Sequence, residues 1–425
     1  MSPHHLGSDA IGHNWADSYT YQAARLLRPG SVEEVQDVVE NEPRIRALGS
    51  RHSFTGLPDS AGSLISLHGL PPRIDIDAEA STVTVSAGLR YGDIATELHE
   101  RGWALHNLAS LPHISIAGAI STGTHGSGDR NGTLATAVAG LELVTATGKL
   151  LTLRRGDPDF DGAVVSLGAL GVITAVTLDI QPTFDVRQDL YDALPWAALL
   201  ENLEAVTSGA YSVSVFTDWR GDTVPITWFK SRMDAATPPD DILGAARYGT
   251  DRHPLPDQPA GNTTVQGGIA GPWSDRLAHF RLEFTPSNGD ELQSEYLVPR
   301  RNALAALESM RALADIISPL LHISELRTMT ADDLWLSGAY ETDALAIHFT
   351  WKKLPTQVGA ILPIIEQALL PLGARPHWGK VFTADATALA PLYPRFDDFR
   401  ALTARMDPER KFGNVFLDRH LYGAS

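Results

Sequence analysis

Cysteine is absent from the 425 residues, which rules out disulfides, thiolate nucleophiles and zinc–thiolate sites. Its absence leaves the compartment open, since a cysteine-free chain folds as well in reducing as in oxidising surroundings. A formal charge of -17 and the lack of any basic run take away the Lys and Arg clusters from which nucleic acids and anionic membranes draw most of their affinity. Neither is expected as a partner. No apolar run reaches the ~20 residues of a bilayer-spanning helix, and the opening Met-Ser-Pro-His-His-Leu-Gly carries no basic and apolar leader. A cytoplasmic protein is the expectation, with no role for the sequons at Asn131 and Asn262. There is no HExxH, and the one adjacent histidine pair, His4 and His5, lies in the first residues, so no metal site is expected.

With 43% hydrophobic and 20% charged residues, the chain is globular and long enough for two domains. Ser31-Val-Glu-Glu34 reads as a capping box opening a helix with Val35, Val38 and Val39 on one face. Strands are expected at Arg44 to Leu48, Leu64 to Leu67, Arg73 to Asp77 and Thr82 to Ser86, then a helix from Tyr91 to about Arg101. Gly140 to Thr145 and Lys149 to Arg154 form a hairpin, and Ala163 to Thr174 a small helix, a glycine turn and a strand running on to Ile180. After Gln181-Pro182 the texture changes to aromatic and β-branched strands at Tyr211 to Phe216 and Ile226 to Lys230. Asp234 to Trp273 reads as a long loop with little regular structure, of the kind that is either disordered or functional, for example as the rim or cover of a site. Strands are expected at Ala278 to Thr285, Gln293 to Leu297, Leu320 to Thr328, Ala344 to Trp351 and Arg375 to Phe382, and helices at Ala303 to Ile317 and Leu354 to Leu370, the latter interrupted near Pro363. These give a tail (1–13), a first domain (14–181), a second built on a large sheet (182–384), and a segment (385–425) returning to the first.

Two stretches are poor in large side chains. Leu48 to Gly56 joins a strand to a Gly-Ser loop around His52, where successive backbone N–H groups can form an anion site and the imidazole can serve as ligand, base or tether. Ser115 to Gly128 is small-residue rich after Ile120, without the GxGxxG register or the acidic residue of a nicotinamide site. Gly88 and Tyr91 admit both a turn-plus-core reading and a cofactor-facing one. Further on, Glu325 and Arg327 alternate on one strand face, His348 interrupts an apolar strand, and Lys380 is one of few lysines in an Arg-rich chain. Each has an ordinary explanation: an exposed ion pair contributes about 0–1 kcal/mol, and a lone histidine in a strand is commonly a satisfied core residue. Together they can form the matched donors and acceptors that a polyol needs.

The GSRHSF run at Gly49 to Phe54 and the SLPHISIAGAISTGTHGSG run at Ser110 to Gly128 resemble the flavin-binding half of vanillyl-alcohol-oxidase-type flavoproteins. Glu325-Leu326-Arg327 and His377-Trp378-Gly379-Lys380 narrow the resemblance to alditol oxidases and the related aldonolactone oxidases, from Asn14 to Asn414. It implies an α+β fold of two domains, an N-terminal FAD-binding domain and a substrate domain whose antiparallel sheet covers the flavin. It implies FAD bonded through its 8α-methyl to His52 and bordered by Gly49, Ser50, Arg51, Ser53, Ser110, Ser115, Gly118, Thr122, Gly123, His125, Gly126 and Ile173. Arg51 departs from the glycine of many relatives, which bears on contacts near the pyrophosphate and leaves the tether in place. Ser110, Gln293, Glu325, Arg327, His348 and Lys380 match the substrate-binding positions. The implied reaction oxidises a terminal alditol carbinol, with O2 as final acceptor, Arg327 and Lys380 offsetting negative charge and His348 taking the proton. A small polyol and O2 are then the partners, and a monomer is favoured. The alternatives are an aldonolactone oxidase or dehydrogenase of the same fold and a non-catalytic carbohydrate-binding protein.

Overall fold

The computed structural model describes residues 11–255, 258–284 and 290–423; most of the expected tail lies outside them. Ser31 starts the helix Val32–Asn41 by accepting the Glu34 N–H at 3.2 Å, while the Glu34 carboxylate reaches back to the Gly30 N–H instead of Ser31. Val35 and Val39 bury their side chains, and the helix links two outer strands of a three-stranded parallel sheet, Arg25–Leu27 and Ile45–Ala47, on either side of Ser63–Ile65. A second, five-stranded antiparallel sheet runs in the order Ile74–Asp77, Thr82–Ser86, Val172–Asp179, Val138–Val144, Leu150–Arg154.

After Gln181–Pro182, which pairs with Trp103–Ala104, the chain enters a ten-stranded antiparallel sheet. Its middle strands are Asp185–Pro195, Thr223–Arg232, Ser212–Thr217, Leu321–Met329, Ala344–Lys352 and Glu291–Pro299, in that spatial order. The helices Ala303–Ala312 and Pro355–Leu369 pack on one face. Because side chains alternate across a strand, Tyr296 points to the helices, where its hydroxyl donates to Glu366 at 2.9 Å, and Glu295 points to the opposite face.

Several expectations need correction. The strand Asp185–Pro195 was not foreseen, because Asp185, Arg187, Asp189 and Asp192 break its apolar alternation; Arg187 and buried Asp189 pair at 2.8 Å and so stay within the sheet. No strand forms over 278–284, and Thr285 is outside the described residues: the carbonyls of Arg276, Leu277 and Ala278 all turn toward the Lys230 ammonium, at 2.7, 2.8 and 2.6 Å, a convergence that extended backbone does not allow. Residues 375–382 hold only the two-residue strand Arg375–Pro376. Lys380 therefore sits in a turn, closed by Lys380 N–H to the His377 carbonyl at 3.0 Å. The helix expected over Ala303 to Ile317 breaks at Leu313 into Ala303–Ala312 and Ala314–Ile317, whereas Pro355–Leu369 runs through Pro363 without the expected interruption. The long loop from Asp234 contains the short strands Asp241–Ile242, Ala245–Tyr248 and Gly271–Pro272.

The C-terminal segment lies against the first sheet. Ile45 N–H donates to the Lys411 carbonyl at 3.0 Å, and the buried Arg46 guanidinium donates to the carbonyls of Phe412 and Leu167. Asn414 caps the helix Val415–Leu417 and its amide donates to the carbonyls of Gly56, Leu57 and Asp59 at 2.8–3.0 Å. Replacing Asn414 by Ala removes both functions and is expected to destabilise the fold by about 1–3 kcal/mol, read as a lowered midpoint in thermal unfolding.

Candidate active site

Register across three strands assembles the polar groups. Glu295 is paired with His348, and His348 with Glu325, so the three side chains form a row on the face turned from the helices. Lys380 reaches this row from its turn, which is hung on the strand Glu291–Pro299 by two rungs: His377 N–H to the Glu295 carbonyl at 2.9 Å and Val381 N–H to the Gln293 carbonyl at 2.8 Å. The ammonium then lies 2.7 Å from Glu295 Oε2 and 2.8 Å from His348 Nδ1. Arg327 donates to Glu295 Oε1 at 2.8 Å and to Ser110 Oγ at 3.2 Å. On the far side His279 Nε2 donates to Glu325 Oε1 at 2.7 Å.

The His52 loop meets this cluster from the other lobe. Phe54 N–H donates to the Gly379 carbonyl at 2.9 Å, so the histidine loop and the Lys380 turn are bonded to each other. His52 Nδ1 is 3.0 Å from Ser50 Oγ, and the ring lies against Trp15 with centroids 5.4 Å apart. Its Nε2 is buried and has no hydrogen-bond partner among the described residues. The two small-residue loops interlock: a Cβ on Gly49 would lie 2.4 Å from Ser115 Oγ, and one on Gly118 2.8 Å from the same atom. Both loops and the polar row line one cavity of about 860 Å³, which His253, Leu255 and Gln258 of the long loop also border.

Burial of these charges sets their protonation. Burial alone would raise the Glu325 carboxyl, but Arg327 and His279 outweigh it and hold the group well below the ordinary carboxylate range. Glu295 is lowered in the same way, burial being opposed by Lys380, His125 and Arg327. Burial, reinforced by the Lys380 charge, pushes His348 well below the usual imidazole value. With Nδ1 accepting from Lys380, His348 Nε2 carries the proton and donates to Thr350 Oγ1 at 3.1 Å. Both ring nitrogens are thus engaged, which qualifies the reading of His348 as a ready proton acceptor. Burial drives the Lys230 pKa down as well, although its three carbonyl partners use all three N–H bonds of the protonated form.

Of the residues expected at the site, Gly49, Ser50, Arg51, His52, Ser53, Ser110, Ser115, Gly118, Thr122, His125 and Ile173 line the cavity, as do Gln293, Glu325, Arg327, His348 and Lys380. Gly123 and Gly126 do not. Gly123 adopts φ +65° as the helix Ile116–Ser121 ends, and a Cβ on Gly126 would lie 2.4 Å from the Leu108 carbonyl; both shape the loop from behind. Arg51 holds φ +63°, where glycine is at ease, and its Nη1 donates to the Ile11 and His13 carbonyls. Gly88 borders the cavity, whereas Tyr91 is 2% exposed and belongs to the core. Sequence reasoning missed Glu295, His279 and Lys230. Glu295 ends the polar half of its strand, Glu291-Leu-Gln-Ser-Glu295, where an acidic residue does not stand out as His348 does in its apolar strand.

Residues 23–154 match the FAD binding domain family, and residues 288–420 match the D-arabinono-1,4-lactone oxidase family. The chain is 47% identical over 410 residues to the alditol oxidase of Streptomyces sp. (strain IKD472 / FERM P-14339), an alignment covering 95% of this chain and 97% of that protein. The chain belongs to the alditol oxidase family of vanillyl-alcohol-oxidase-type flavoproteins. It is an FAD-dependent oxidoreductase acting on CH–OH groups. Identity to the L-gulono-1,4-lactone dehydrogenase of Mycobacterium tuberculosis is 30%, covering 97% of this chain and 99% of that one. Among solved structures, cholesterol oxidase from B. sterolicum superposes with a TM-score of 0.76 over 96% of each chain at 18% identity, a likeness of fold alone. The unpartnered His52 nitrogen and the interlocked glycine loops fit a flat cofactor lying against backbone. Among the described residues no helix is long and apolar enough to cross a membrane.

The buried histidines give the fold a pH dependence. Unfolded imidazoles take up protons below about pH 6.5, whereas burial holds His279 and His420 down to about 4. The unfolded chain therefore binds more protons in that window, and stability falls as pH drops through it. Thermal unfolding followed across this range is expected to show a falling midpoint, with a shallower fall in the His279→Asn variant.

Proposed function

We propose that the protein oxidises the terminal primary alcohol of alditols such as xylitol and sorbitol to the aldose and reduces O2 to H2O2, on FAD bonded covalently to His52. The observation that carries this reading is the row Glu295, His348, Glu325 with Arg327, held on rigid strands, and Lys380 on a turn bonded to them, in the same cavity as His52. Near-full-length similarity to an alditol oxidase supports it.

When bound, FAD supplies the two-electron acceptor that no side chain here provides. Gly49, Ser50, Ser53, Ser115, Gly118 and Thr122 are the residues that would hold it. Ser110, Gln293 and Glu325 match substrate hydroxyls with fixed donors and acceptors, and the sheet keeps them from relaxing between turnovers. Arg327 and Lys380 offset the negative charge that develops on the substrate oxygen as its hydroxyl proton leaves. Lys380 turns an N–H from His348 Nδ1 to that oxygen, which frees Nδ1 to take the hydroxyl proton. Because the imidazole is a weak base in this setting, the proton moves as the hydride leaves and not before it. Glu295, with Oε1 3.7 Å from His348 Nδ1, stabilises the imidazolium formed.

A lactone substrate is the second reading, supported by the match of residues 288–420 and by the mycobacterial relative. A panel of xylitol, sorbitol, gulonolactone and galactonolactone separates the two, with turnover on the alditols and H2O2 formation expected. Anaerobic mixing of Lys380→Met or Arg327→Met with xylitol is expected to slow flavin bleaching by about 100-fold or more, while the yellow chromophore survives acid precipitation. Only His52→Ala is expected to lose that acid-stable colour. Unchanged bleaching in both cation variants would remove them from the mechanism.

A further inference from the structure

Glu295 neither binds substrate nor takes its proton in the reaction proposed above, its part there being to stabilise the imidazolium, and nothing of its carboxylate is solvent exposed, yet it touches both catalytic cations. Lys380 Nζ is 2.7 Å from Oε2 and Arg327 Nη2 is 2.8 Å from Oε1. Among the described residues Lys380 has no other anion in hydrogen-bond contact, and the second carboxylate near Arg327, Glu325, is 3.6 Å from its Nε. Arg327 and Lys380 remain slightly open to the cavity, at 6% and 13% side-chain exposure against 0% for Glu295. The cations thus show their N–H bonds to a ligand while their charge is already balanced from behind.

We propose that Glu295 is a positioning and specificity-determining residue: by neutralising Lys380 and Arg327 from the protein side, it makes the pocket accept neutral polyols and reject sugar carboxylates. An uncharged hydroxyl needs only the donors' directions. A carboxylate needs an unpaired positive charge to offset its own desolvation, and both cations are taken. The proposal rests on the polyol reading of the site.

The test uses the flavin-loaded enzyme and its Glu295→Gln variant, which keeps the side-chain shape and removes the charge. Calorimetric titration with gluconate, a polyol carrying one carboxylate, is expected to show binding to the variant tighter by about tenfold or more than to the wild type, with a fall in kcat/KM for xylitol. A proton signature accompanies it. Burial already lowers the Lys380 pKa, with Glu295 the first of the groups that raise it back and Arg327 opposing and Glu325 adding to it; His348 and His377 pack against the same ammonium. Without Glu295 the amine gives up its proton more readily, so gluconate binding to the variant takes up a proton and tightens from about pH 8 to about pH 6. In the double variant Glu295→Gln with Lys380→Met the gain disappears. Glu295→Asp, which retains the charge, stays within about twofold of wild-type gluconate affinity and stands in as the folding control. Gluconate affinity unchanged in Glu295→Gln, or a gain that survives loss of Lys380, would overturn the proposal, and so would a Glu295→Gln chain that cannot fold while Glu295→Asp folds and binds gluconate more tightly. Calorimetry reads binding without turnover, so a wild type inactive on xylitol would refute the polyol reading and leave the charge test standing.

Discussion

A carboxylate with no solvent contact, ion-paired to two cations, is the constraint on which the site is built. In a low-dielectric interior each of those charges alone would cost several kcal/mol, so Glu295, Lys380 and Arg327 are stable only together and only near their observed geometry. Glu295 comes from the strand Glu291–Pro299, Arg327 from Leu321–Met329 and Lys380 from a turn hung on the first of these. The pairing therefore fixes two strands and a turn relative to one another. It also orients the donors that face the cavity, so that orientation and stability have the same physical source.

The two lobes are joined through backbone as much as through side chains. The Gly379 carbonyl receives the Phe54 N–H, and the Ser110 carbonyl receives the N–H groups of His279 and Phe280. Lys230 gathers three successive carbonyls just before His279, which folds that segment sharply and delivers the imidazole to Glu325. A buried lysine directly behind the cavity wall, its Nζ 3.5 Å from His279 Nδ1, thus helps set where a cavity-lining carboxylate points. The chain of support runs from an ammonium, through a turn, to an imidazole, to the carboxylate.

The division of labour follows from this. The first lobe contributes small residues and His52, which leave room for close backbone approach, and the second contributes buried charge on strands and on the turn that carries Lys380. Loops alone would hold such donors too loosely, and a sheet alone would leave no room for close backbone approach.

What the amino-acid order determined by itself was local. The Ser31 cap, the alternating strands at Ile74–Asp77 and Thr82–Ser86, and the glycine-rich loops were legible because capping, period-two burial and the lack of a Cβ act over a few residues. The paired motifs around His52 and Lys380 carried the family. What only tertiary structure decided was which charges meet. The strand Asp185–Pro195 hides Asp189 because Arg187 neutralises it, and Lys380 leaves the strand pattern because a turn brings it to Glu295. Glu295 itself looked like one more acidic residue, since the energy that makes a buried carboxylate tolerable comes from partners 32 and 85 positions away along the chain, and no local pattern encodes a contact of that range.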